Sequence, residues 1–258
     1  MTSDKERILA KRIRKSILTL SYKAHVGHIG SAFSIVEMLI ALYFQIMKKG
    51  DKFILSKGHA APALYVTLHE RGLLPEKDLL TYCQNGSIIE EHPNHIVPGV
   101  EVSTGSLGHG LSIGIGMAIA AKVKKTSTNV FVITSDAECD EGETWEGALS
   151  AGHHALNNLC VLLDYNKVQA FGTKKDVLNI EPLADKWRAF GWNVYEADGH
   201  DVSAMVSVWE KRELNNKPNI IICNTVRGKG VEFMHHLIDW HYLNPTEEQF
   251  NIAIKELS

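Results

Sequence analysis

Two apolar runs, each followed at once by an oxygen-bearing polar turn, constrain this chain more than any other feature. Residues 130–134 (VFVIT) have the length and composition of a buried strand and lead into Ser135-Asp136-Ala137-Glu138. Residues 159–163 (LCVLL) form a second such run, ending in Asp164-Tyr165-Asn166. The segment between them, 142–158, is read as a helix. A strand, a helix and a strand in that order close as a right-handed βαβ unit, which brings both turns to the carboxyl edge of one parallel sheet. Open α/β sheets bind ligands at that edge. Asp136 and Asn166 together there offer a carboxylate and an amide oxygen, donors suited to a hard cation such as Mg²⁺ or Ca²⁺, which also takes phosphate oxygens.

The rest of the pattern alternates in the same way. Helices are expected at 4–24, with Ile13, Ile17 and Leu20 on one face, at 60–71 up to Gly72, at 111–125, at 182–190 and at 202–215. Ser34-Ile35-Val36-Glu37 reads as a capping box opening another helix to about Met47. Strands are expected at 51–56, 192–197 and 219–224. The fold class is therefore α/β, a mostly parallel sheet with helices on both faces, in a single domain over 1–258. Residues 83–110 are loop-rich (QNGS, EEHPNH, VPGV, TGSLGHG), and a loop of that length inside a compact chain points to function.

Composition excludes several classes. A formal net charge of −3 makes no basic field for nucleic acid. No run approaches the roughly 18 apolar residues of a membrane span, and the charged N-terminus lacks a signal-peptide core. Four scattered cysteines without a C-x-x-C fit free thiols in a cytoplasmic protein. Thirteen histidines are unusual. His28, His59, His92 and His109 all fall in turn-like, mostly glycine-rich contexts, which predicts a histidine-lined polar cavity.

Gly108-His109-Gly110-Leu111-Ser112-Ile113 invites a dinucleotide-binding reading, but Ile113 stands where the third glycine belongs and no good strand precedes it. The acidic group Asp136, Glu138, Asp140, Glu141 and Glu143 is by itself compatible with a charged helix N-terminus. The pairing of Asp136 with Asn166 favours a ligand site.

At this point the chain resembles thiamine-diphosphate enzymes, whose motif runs from Gly-Asp-Gly to an Asn about 30 residues on. Within them it resembles the transketolase branch. The strings that carry the likeness are E-G-x-x-W-E-x-A from Glu141, D-Y-N-K from Asp164, HVGHIGSAFS from His25, LSKGHA from Leu55, GVEVSTGSLGHG from Gly99 and WRAFG from Trp187. The resemblance implies the diphosphate-binding part of a transketolase that moves a two-carbon ketol unit between sugars or sugar phosphates. It implies Asp136, Asn166 and the carbonyl of Val168 as metal ligands, and His59 on the diphosphate. Gly105, Ser106 and Leu107 would flank the cofactor rings, with Ala137 and Glu138 also at the cofactor. His28, His92 and His241 would face the substrate, with His235 and His236 as rival matches for His241, and Glu141 would lie at a subunit interface. Ser135 and Ala137 replace both motif glycines. Ser106 and His109 stand where the family has Pro and Gln. The pyrimidine-binding and C-terminal domains of such enzymes are absent from this chain. A separately encoded partner in an α₂β₂ assembly is therefore expected, with histidines titrating near neutrality as proton shuttles. A deoxyxylulose-phosphate-synthase-like or branched-sugar-forming activity, or a non-catalytic cofactor-binding subunit, remains an alternative.

Overall fold

A computed structural model describes residues 2–258. Five strands make one wholly parallel sheet: β1 (Lys52–Leu55), β2 (Val130–Ser135), β3 (Leu159–Tyr165), β4 (Asn193–Asp198) and β5 (Asn219–Asn224). Their spatial order is β1-β2-β3-β5-β4. The helices are α1 (Asp4–Ala24), α2 (Ile29–Ser34), α3 (Val36–Ile40), α4 (Ala61–Glu70), α5 (Glu76–Leu79), α6 (His109–Val123), α7 (Gly142–His153), α8 (Lys174–Val177), α9 (Leu183–Ala189), α10 (Val202–Lys211) and α11 (Glu247–Glu256).

The period-2 alternation of the strands decides which helix lies on which face. Phe131, Ile133, Cys160, Leu162 and Ile221 point into one core with Ile13 and Ile17 of α1, Leu64 of α4 and Met205 of α10. Val130, Val132, Val161, Leu163 and Ile220 point into the other, with Leu111 and Ile115 of α6, Ala148 of α7 and Trp187 of α9. The connections through α7 and α9 run over this second face; the return from β4 to β5 through α10 runs over the first. The chain therefore leaves β3 and β4 toward opposite faces, and the carboxyl ends of the strands form the edge at which α/β sheets bind ligands.

Three local expectations are corrected. Ser34 is not a cap and the second helix is not continuous: α2, α3 and a π-helical turn (Ala41–Ile46) follow one another. The Ser34 hydroxyl donates to Asp164 at 2.7 Å, and Glu37 pairs with Arg14 at 2.6 Å and with His200 at 2.9 Å. Long-range partners have taken both members of the expected box. The helix after β2 ends at His153, because Ala155 turns into the left-handed region (φ 50°). The order of β4 and β5 could not be read from a linear alternation of elements.

Helix α6 lies close on the sheet because it carries glycine where it crosses β2. A Cβ at Gly114 would come within 2.7 Å of Val132 Cγ2, whereas at Gly116 it would meet nothing within 4 Å. The two positions should therefore respond with opposite sign. Gly114→Ala gains about 1 kcal/mol of helix propensity but overpacks by about 1–3 kcal/mol, a net loss. Gly116→Ala keeps the gain. Urea unfolding of the two variants tests this; equal effects would mean that α6 does not pack on β2 at that distance.

Candidate active site

The site is built on a buried ion pair. Asp164, the penultimate residue of β3, is inaccessible to solvent, and so is Lys57, which follows β1 and pairs with it. Asp164 also accepts from Ser34 Oγ at 2.7 Å, from the Thr225 hydroxyl and from Asn166 Nδ2 at 2.9 Å. Burial alone would raise its pKa, but Lys57 and the hydroxyls of Thr225 and Ser34 outweigh that and hold it below the usual carboxylate value. One carboxylate thus ties together the ends of β1, β3 and β5 and the helix α2.

The amide of Asn166 is oriented by this bond: Nδ2 faces Asp164, so Oδ1 is the free acceptor, taking the N–H of Val168 at 3.0 Å. Asp136, at the end of β2, accepts only backbone N–H groups through its side chain, from Ala137 at 3.0 Å and Lys167 at 2.8 Å. It is 1% exposed and, among the described residues, no cationic side chain pairs with it. Its burial, reinforced by Asp164, pushes its pKa up to about 7. The sequence-predicted pair is therefore brought to one sheet edge, and it includes a buried carboxylate without a counter-charge.

A cavity of about 420 Å³ opens above this edge. Asp136, Ala137, Glu141, Asn166, Val168, Gly105 and Leu107 line it, together with His28, His59, His92 and His241. His59 Nε2 lies 2.8 Å from Ser31 Oγ, and the His28 ring sits 5.3 Å from that of His59 and 4.7 Å from that of His241. Gly58 lets the His59 segment abut the 104–107 loop, since a Cβ there would lie 2.8 Å from the Thr104 carbonyl. Burial, with Arg227, Lys57 and the neighbouring imidazoles, lowers His28 to about 4 and His241 to about 3, and lowers His59 as well. These three are neutral imidazoles at pH 7, which corrects the expectation of groups titrating near neutrality. Among the C-terminal candidates it is His241, not His235 or His236, that lines the cavity.

Three predicted residues lie elsewhere. Glu138 turns inward, accepting from Ser56 Oγ (2.6 Å), Gly108 N (2.9 Å) and Thr134 Oγ1 (2.9 Å); it braces the loops and does not face the cavity. Ser106 and His109 line an adjoining depression that shares His92 and Gly105 with the main cavity.

Residues 5–248 match the family described as "Transketolase, thiamine diphosphate binding domain". The chain belongs to that family. It is 40% identical to an apulose-4-phosphate transketolase subunit of Phocaeicola vulgatus, over 96% of this chain and 92% of that one. It is 39% identical to the 6-deoxy-6-sulfo-D-fructose transketolase subunit SqwG of Clostridium sp. (strain MSTE9), over 96% and 94%. Among solved structures it superposes on the transketolases of Campylobacter jejuni (TM-score 0.91, 26% identity) and Leishmania mexicana (TM-score 0.90, 26% identity). It is covered fully in both cases but spans only 43% and 42% of their lengths.

The residues of this transketolase-family chain fit a divalent cation. Asp136, Asn166 Oδ1 and the Val168 carbonyl are all oxygen donors, and a cation there would compensate the buried carboxyl of Asp136. His28 Nδ1 is buried with no hydrogen-bond partner among the described residues, a position open to a ligand. Sequence reasoning missed Lys57, Asp164 and Arg227 as parts of the site. The first two stand inside the family strings LSKGHA and DYNK, where that signal was available; no local pattern marks Arg227.

The raised pKa of Asp136 makes a signed prediction for the unliganded protein. Between about pH 4 and 7 the folded state keeps a proton there that the unfolded state loses, so this group's contribution to stability falls as pH rises through that window. Wild type should therefore lose stability relative to Asp136→Asn across it, by at most about 4 kcal/mol. Denaturation at pH 5 and 8 measures this; a difference independent of pH would show that Asp136 is already ionised.

Proposed function

We propose that this chain is the diphosphate-binding subunit of a two-subunit transketolase, which transfers a two-carbon ketol unit from an anionic ketose to an aldose. The observation that carries the reading is the convergence, in one cavity, of the uncompensated Asp136 carboxylate, Asn166 Oδ1 and neutral buried histidines. When bound, thiamine diphosphate supplies the carbon nucleophile that takes up and releases the ketol unit, with Mg²⁺ (or Ca²⁺) neutralising its diphosphate.

The roles of the chain's own residues follow from their placement. Asp136, Asn166 and the Val168 carbonyl hold the cation. His59, steadied by Ser31, donates to the diphosphate, and the backbone at Ala137 lies beside it. Gly105 and Leu107 flank the cofactor rings, with Ser106 between them facing the adjoining depression. His28, His92 and His241 bind sugar hydroxyl and carbonyl groups. A neutral imidazole donates from one nitrogen and accepts at the other, so it can hold a hydroxyl and relay its proton without carrying charge. Glu141, at the cavity rim and the N-terminus of α7, faces a neighbouring subunit.

The partner is inferred from two further observations. Relatives matched over nearly their whole length are named as subunits, and the chain spans under half of the single-chain transketolases it superposes on. We infer that a separately encoded subunit supplies the pyrimidine side of the cofactor site, in an α₂β₂ assembly. The two relatives are named for a phosphorylated and a sulfonated ketose, which supports an anionic donor. Four cysteines, all free, support a cytoplasmic setting.

Reconstitution with the partner tests the reading. The chain alone should give no ketol transfer and the mixture should give turnover. His59→Ala and His92→Ala should each lower kcat/KM of the mixture by roughly a hundredfold or more. Unchanged turnover in both variants would remove the roles assigned to these histidines.

A further inference from the structure

The turn between β4 and α10, Asp198-Gly199-His200-Asp201, lines no part of the cavity, yet it is tied to a segment that does. It presses on the end of β5. Gly199 N donates to the Asn224 carbonyl at 2.8 Å, and a Cβ at Gly199 would lie 2.4 Å from Thr225 Cγ2. Thr225 is one of the donors to Asp164, and Arg227, two residues on, lines the cavity.

His200 makes the central contact of this turn. Its Nδ1 lies 2.9 Å from Glu37 Oε2, and its Nε2 accepts from Val226 N at 2.8 Å. A carboxylate accepts and an amide donates, so the ring is the neutral tautomer with its proton on Nδ1 and a lone pair on Nε2. Glu37 is held in turn by both terminal nitrogens of Arg14 at 2.6 Å, and Arg14 also donates to the Phe33 carbonyl at 2.9 Å. Burial would raise the Glu37 pKa, but Arg14 and the His200 hydrogen bond outweigh it and keep the group ionised. The three side chains are at most 9% exposed. A network that only docked α1 and α3 on the sheet could end at Glu37. This one continues to a backbone N–H: β5 ends at Asn224, so Val226 N lies beyond the sheet and takes the imidazole as its acceptor. Without Nε2 that N–H would lose its partner, and a ligand would have to order the segment on arrival.

We propose that His200 is a positioning residue of the cofactor site, holding the backbone of residues 225–228 ready for the ligand through Val226 N. Arg14 and Glu37 fix the imidazole, and the imidazole fixes the end of the strand. The inference rests on the cofactor reading above.

Two substitutions in the full chain, assayed with its partner, test it. His200→Asn keeps a donor for Glu37 but is too short to reach Val226 N, whereas His200→Gln extends an acceptor to the place of Nε2. Each is titrated with thiamine diphosphate at saturating Mg²⁺, followed by calorimetry and by turnover. His200→Asn should weaken cofactor binding about fivefold or more, while kcat at saturating cofactor and KM for the ketose stay within about threefold of wild type. His200→Gln should recover most of the affinity. Wild-type cofactor affinity in His200→Asn, or a loss of kcat at saturating cofactor with the affinity intact, overturns the proposal. Thermal unfolding shows whether His200→Asn is folded. If it is not, hydrogen exchange of the wild-type protein decides: the Val226 amide should be protected before cofactor is added, and protection that arises only with cofactor overturns the proposal. If wild type itself binds no thiamine diphosphate, the cofactor reading fails and this inference falls with it; unchanged affinity in the variant alone leaves that reading intact.

Discussion

The ion pair of Lys57 with Asp164 is the interaction on which the rest of the site depends. Both groups are fully buried, so each alone would be a desolvated charge costing several kcal/mol. Together, with Ser34, Thr225 and Asn166 as further donors to Asp164, they are satisfied. Removing one member would leave the other unpaired in the core, a loss of about 3–5 kcal/mol. It would also release the ends of three strands from one another. The same carboxylate sets the direction of the Asn166 amide and raises Asp136 by its charge, so a structural hub tunes the ligand atoms beside it.

The electrostatics of the cavity are arranged for absent charges. Among the described residues Asp136 is a buried carboxyl without a cationic partner and Arg227 a buried guanidinium without a carboxylate partner, and the imidazoles of His28, His59 and His241 are held to low pKa beside them. A metal beside Asp136 and phosphoryl oxygens beside Arg227 would balance both. The surrounding packing of α1–α4 on one face and α6, α7 and α9 on the other holds these groups in place before any ligand arrives, so binding need not order them.

Much of this was legible in the sequence because the signals were local. Strand–turn–helix–strand order placed Asp136 and Asn166 at one edge, and β5 and α1 have the expected bounds because their apolar periods are strong. Turn-like contexts, glycine-rich at His28 and His59 and proline-bearing at His92, marked these three histidines. The rest depended on contacts between distant segments. Ser34 and Glu37 look like a cap because i to i+3 spacing says nothing of Asp164, 130 residues away, or of His200. Glu138 was grouped with its acidic neighbours, although its side chain turns inward to Ser56 and Gly108. The neutral state of the histidines comes from burial and from Arg227, neither visible in a linear reading.

The central claim is that Asp136 and Asn166 anchor a metal-bound diphosphate in a site that a second chain completes. Calorimetric titration of thiamine diphosphate into this chain, with and without Mg²⁺ and with and without the partner, tests it most directly. The account predicts binding that requires the cation, tightens with the partner and is lost in Asp136→Asn. Binding indifferent to both the cation and Asp136, or no binding with cation and partner present, would contradict it.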